Sequence, residues 1–263
     1  MKALIKASTP SRLDAGVRNF MRLVPPGSGT RLFGATLVGT LAILWVSKIS
    51  HSSIVGYAYG AGLFTVLSWP FMPRLLGQVQ RRTPHVMEKA LGLLMVSLAC
   101  GALGGMILGY NPQASGLREF NWLLAQKLLW QFPLVLPVEN LLLLGALLSF
   151  VRISGARKIS SLMLMAVIAA AFFGLWHVPF WGWGTLLTIG FTVLPWTVYM
   201  ILTGDVIVPV VTHVMMDTAA MVVNFAPSHW VRGGFMMALV VLVLIWAVAR
   251  SWWRDWRTTR GKE

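Results

Sequence analysis

The sequence predicts an all-α, polytopic membrane helical bundle of about eight transmembrane helices, on three observations. Apolar residues make up 57% of the 263 positions and charged residues only 11%, whereas a soluble domain carries about a quarter of its residues as charges. Mean hydropathy is +0.71, and the apolar residues fall in successive runs near the roughly 20 residues that a helix needs to cross the hydrocarbon core. The Lys and Arg residues concentrate on one of the two sides that such a bundle would have.

Residues 1–31 come first, with Lys2, Lys6, Arg12, Arg18, Arg22 and Arg31 but no unbroken apolar stretch of the kind a cleavable signal needs. Leu13, Val17, Phe20, Met21 and Val24 recur near the helical period, which predicts an amphipathic helix on the membrane surface, ended by Pro25-Pro26-Gly27. Eight spans then follow: Leu32–Ile49, Ser53–Met72, Val86–Tyr110, Leu128–Val151, Ile159–Phe180, Gly184–Thr203, Val206–Ala226 and Gly234–Arg250. Asn121–Gln131 reads as a possible separate amphipathic segment along the interface. Trp176, Phe180, Trp181 and Trp183 mark the exit of span five, and Trp252, Trp253 and Trp256 follow the last span, at the headgroup level that tryptophan prefers. The expected organisation is a basic cytoplasmic arm (1–31), N-terminal spans (32–127), a core with the buried polar residues (128–226), and a last span with a basic cytoplasmic tail (227–263).

With the N-terminus inside, 18 of the 22 Lys and Arg residues fall on the cytoplasmic side. Only Lys48, Arg118, Lys127 and Arg232 fall outside. That asymmetry favours an even number of spans with both termini cytoplasmic. It also explains the net charge of +14: the basic residues flank apolar segments, where they meet anionic lipid. They form no stripe for nucleic acid. Cys100 is the single cysteine, so no intrachain disulfide or cysteine metal cluster is available.

Eight acidic residues are present, and two of them, Glu139 and Asp217, fall inside apolar spans together with His177 and His213. Such residues are costly in hydrocarbon and usually face the bundle interior with a partner. Glu139 lies on span four, His177 on span five, and His213 and Asp217 one turn apart on span seven. Each alone could be a hydrogen bond between packed helices, but four on three spans suggest a shared polar cavity. At about 1.5 Å per residue, Glu139, His177 and His213 would lie roughly 18, 27 and 10 Å from the cytoplasmic edge. Convergence therefore requires staggered, tilted or re-entrant helices. The chain contains neither H-E-x-x-H nor G-x-S-x-G. What remains is a set that could activate water without a protein nucleophile.

At these positions the chain resembles the CAAX-protease and bacteriocin-processing (CPBP, Abi-type) family of intramembrane endopeptidases, whose motifs are EExxxR, FxxxH, and HxxxN or HxxxD. Here they read PVENLLLLG (137–145), FGLWHVP (173–179) and PVVTHVMMD (209–217). The second and third match in residue, spacing and order. In the first, Asn140 stands in place of the second Glu and Leu144 in place of the Arg. The resemblance implies that Glu139, helped by His177, activates water, and that His213 and Asp217 polarise the scissile carbonyl. It implies membrane lipid and a membrane-anchored protein or peptide as partners, and a bacterial inner membrane as location. No bound cofactor is required in the preferred, metal-free form. The alternative is zinc held by Glu139, His177 and His213 with water in the fourth position. Two other readings use the same residues: a proton-coupled transporter, and a non-catalytic CPBP-like membrane protein.

Overall fold

The computed structural model describes residues 9–79, 83–112 and 121–225. Among them all regular structure is helical: α1 (Thr9–Arg22), α2 (Gly29–Ser50), α3 (Ser53–Leu67), α4 (Met72–Val79), α5 (Val86–Leu108), α6 (Trp122–Ser154), α7 (Ile159–Trp176), α8 (Val178–Trp181), α9 (Thr185–Thr203) and α10 (Ile207–Phe225). By length and composition α2, α5, α6, α7 and α9 can each cross a membrane, and α3 and the apolar part of α10 are shorter. The chain is an all-α integral membrane protein with five such helices among the described residues. The predicted eighth span, Gly234–Arg250, and the tryptophans after it lie outside the described residues.

Several predicted boundaries move, each for a local reason. Span two is cut at Leu67, where Ser68 donates its backbone N–H to the Phe64 carbonyl at 2.9 Å. Pro70, with no N–H to give, stands in the turn that follows. The chain resumes as the short α4, whose Met72 and Leu75 are buried. Asn121–Gln131 is not a separate segment: α6 runs unbroken from Trp122, and Asn121 Oδ1 caps it by accepting the Leu124 N–H at 2.9 Å. α6 also contains Pro133 and Pro137, whose freed carbonyls a membrane helix can tolerate. Span five breaks at His177, which ends α7 and begins α8. Pro179 cannot supply the N–H that would continue the helix, and the His177 N–H bonds back to the Gly174 carbonyl instead, at 3.1 Å.

Two compact units divide the chain: Met1–Glu119 with Trp130–Met216, and Phe120–Leu129 with Asp217–Glu263. In the first, α9 is the central helix. It packs against α1, α5 and α7, and Trp196, Met200 and Ile201 on it are fully buried. The amphipathic helix expected near the N-terminus forms as α1, with its apolar side turned to protein. Phe20 is fully buried, and Gly16 lies so close to α9 that a Cβ there would fall 1.7 Å from the Leu202 carbonyl oxygen. The Arg152 guanidinium at the end of α6 donates to the carbonyls of Met21 and Val24, tying the two helix ends together.

α2 and α3 approach through small residues, as membrane helices do where no hydrophobic force separates them from lipid. A Cβ on Gly60 would lie 2.6 Å from the Gly39 carbonyl oxygen and 2.4 Å from Ile43 Cγ1. Gly60→Ala is therefore expected to push the two helices apart and destabilise the protein by about 1–3 kcal/mol, the usual cost of overpacking. A thermal melt in detergent checks this, and an unchanged midpoint would contradict the contact.

Candidate active site

All of the side chains that meet at the site belong to the first unit. Glu139 lies on α6, two residues after Pro137, and is 5% exposed among apolar neighbours. A carboxylate in such surroundings needs polar partners, and it has two. The Tyr57 hydroxyl, from α3, donates to Glu139 Oε1. His213 Nε2, from α10, faces Glu139 Oε2 at 3.7 Å. Glu139 and His213 thus meet despite the separation of depths expected for them.

His213 is itself 5% exposed and is held from three sides. The Trp196 ring of α9 stands 4.7 Å from the imidazole, and the Phe173 ring of α7 meets it edge-on at 6.3 Å. Trp196 is anchored in turn, because its indole N–H donates to Ser97 Oγ on α5 at 2.8 Å. On the third side Asn140 Nδ2 lies 2.9 Å from His213 Nδ1. The hydroxyl of the neighbouring Thr212 lies between two carbonyl acceptors, Val208 on its own helix at 2.9 Å and Ala90 of α5 at 3.2 Å.

His177 is half-buried at the break between α7 and α8. Its Nδ1 lies 2.8 Å from the Phe173 carbonyl. A carbonyl oxygen can only accept, so this nitrogen carries the proton and the neutral ring keeps its lone pair on Nε2. The Phe173 ring lies 4.7 Å from the His177 ring and also contacts His213. The phenylalanine of the second motif therefore spaces the two imidazoles, in addition to packing its helix. Asp217 is half-buried one turn beyond His213 on α10 and belongs to the second unit.

The zinc alternative requires Glu139, His177 and His213 to aim at one point. Among the described residues no three His, Cys, Asp or Glu side chains are grouped so as to hold a metal ion. Glu139 and His213 face one another, and His177 is not grouped with them at one point among the described residues. The set does not fit a three-ligand metal site.

Two participants were not legible as such. Tyr57 sits in SIVGYAYG beside Tyr59, and nothing local distinguishes the inward hydroxyl from the exposed one. Asn140 registered only as a departure from a motif, yet it is fully buried against His213. The available signal was a general one: a polar group inside an apolar run requires a partner.

Residues 121–219 match the model of the type II CAAX prenyl endopeptidase Rce1-like family. The matched stretch contains Glu139, Asn140, His177, His213 and Asp217, and stops short of Tyr57. No curated protein and no solved structure matches the chain. The three motifs and the family match coincide on the same helices, and over residues 121–219 this chain is similar to the CAAX-protease (CPBP) family of intramembrane endopeptidases.

Proposed function

We propose that the protein hydrolyses a peptide bond near the end of a lipid-anchored or hydrophobic-tailed protein or peptide, in a bacterial inner membrane with both termini cytoplasmic. The observation that carries this reading is a buried carboxylate, Glu139, held by Tyr57 and facing a histidine within apolar helices. A base placed there can act on water with little competition from solvent.

Glu139 takes a proton from a water molecule, and the water oxygen bonds to the scissile carbonyl carbon. The carbonyl oxygen gains the electron pair and accepts the His213 Nε2–H. Collapse of this adduct breaks the C–N bond, and the departing amine takes the proton that Glu139 holds. His177, with its lone pair on Nε2, is a second acceptor that can share that proton. The family pattern adds Asp217 on the carbonyl side, an assignment that rests on motif spacing alone. No step requires a metal.

The test is hydrolysis by the full chain reconstituted in lipid vesicles, using a prenylated peptide as probe and mass spectrometry of the products. Cleavage is expected. Proton flux without cleavage would replace this reading with the transporter, and neither activity would leave a non-catalytic member. Tyr57→Phe is expected to lower kcat about tenfold with KM little changed, because the carboxylate loses the donor that holds it in place. Wild-type kcat in that variant would remove Tyr57 from the site.

A further inference from the structure

Asn140 breaks the first family motif, and its surroundings give it a definite task. Its amide nitrogen lies 2.9 Å from two atoms, the Leu136 carbonyl oxygen one turn back and Nδ1 of His213. The carbonyl can only accept, so the atom facing it must be the amide NH₂. The reversed amide would set two oxygens against each other at that distance. Fixing the amide in this way leaves its second N–H directed at His213 Nδ1. A proton on Nδ1 would then meet a donor head-on, so Nδ1 must accept and the ring proton must sit on Nε2. Asn140 is fully buried. Among the described residues its Oδ1 has no hydrogen-bond partner, so there two donor bonds determine the orientation with no acceptor bond opposing them.

We propose that Asn140 is a positioning residue that locks His213 as the Nε2–H tautomer, the opposite of the tautomer that the Phe173 carbonyl imposes on His177. One imidazole of the site is thereby made a donor and the other an acceptor before substrate arrives. His213 Nε2–H is aimed toward the side where Glu139 lies, 3.7 Å away, and the free lone pair of His177 is on its Nε2. Of the elements against the His213 ring, α6 brings the ionisable Glu139, which Tyr57 of α3 in turn contacts, while α9 and α7 bring Trp196 and Phe173. A carboxylate at position 140 would do the reverse. It would accept from Nδ1, draw the ring proton there and leave Nε2 without one in the neutral ring. The residue at position 140 therefore bears on which nitrogen of His213 carries hydrogen, although a carboxylate there must first turn away from the Leu136 carbonyl.

The catalytic consequence rests on the peptidase reading above, but the tautomer does not, and the experiment separates them. Full-length protein with ¹³C,¹⁵N-labelled histidine, in lipid nanodiscs at pH 7, is compared by solid-state NMR with Asn140→Asp. The His213 ring is identified as the signal missing in His213→Gln. Wild type should show His213 protonated on Nε2 and not on Nδ1, and Asn140→Asp should show Nδ1 protonated. A wild-type ring carrying its proton on Nδ1, or a variant whose ring matches wild type, would overturn the proposal. That measurement stands even if the chain cleaves nothing, an outcome that would remove only the peptidase reading. In the cleavage assay Asn140→Asp should lower kcat at least tenfold with KM within about twofold. The NMR change without that loss would overturn the catalytic part, and a fall in folded yield alone would not mimic a changed tautomer.

Discussion

Glu139→Gln is expected to abolish peptide hydrolysis while leaving the bundle folded. The substitution is nearly isosteric, and the Gln side-chain oxygen can still accept the Tyr57 hydroxyl in place of Oε1. What it cannot do is take a proton from water. General-base catalysis is worth about 10²–10⁴ in rate, so kcat should fall into that range or below detection. Stability should hold or rise, because a buried charge is replaced by a neutral amide. Turnover on a prenylated probe, with a thermal melt of the same preparation, checks both halves. Activity within about threefold of wild type would remove Glu139 as the base. Lost activity together with a collapsed melt would show instead that the carboxylate serves the fold.

The second large effect is expected at His213. Its ring sits against Trp196 and Phe173, so truncation to Ala would mix lost chemistry with a cavity. His213→Phe keeps the ring and removes the N–H. Loss of one donor to a developing oxyanion costs about 10²–10³ in kcat, and that range is expected here with substrate affinity little changed. The substitution also strands one N–H of the buried Asn140 amide, which costs about 1–3 kcal/mol of stability. A steady-state assay and a melt separate the two effects. Wild-type kcat would show that His213 does not reach the carbonyl oxygen.

These expectations concern residues that the sequence brings to notice with unequal clarity. Glu139, His177 and His213 stand out because ionisable groups in apolar runs are costly and must be accounted for. Their spacing adds the family resemblance. The edges of α2, α5, α9 and α10 fall close to expectation because apolar length and local breakers such as Gly109 and Gly204 set them, whereas span five stops early at His177. Span two and the Asn121–Gln131 stretch came out differently. Hydropathy averages over a window, and it neither sees the turn at Trp69–Phe71 nor the Asn121 cap that joins the stretch to α6. The depth estimate failed to bring Glu139 and His213 together for a related reason: it fixes position along each helix and is blind to stagger between helices.

By itself, then, the sequence determines the class of the molecule, the ends of most of its helices and the identity of its buried ionisable residues. These follow from the cost of placing peptide groups and charges in hydrocarbon, which is paid residue by residue. Only the tertiary structure decides that Tyr57, outside the family-matching stretch, reaches Glu139, and that Asn140 donates to His213. Hydrogen-bond partners on different helices are selected by rotation and stagger, over distances that no local pattern encodes. For the same reason the direction of each imidazole proton is absent from the motif and present in the packing: it is set by a carbonyl one turn away for His177 and by an amide on another helix for His213.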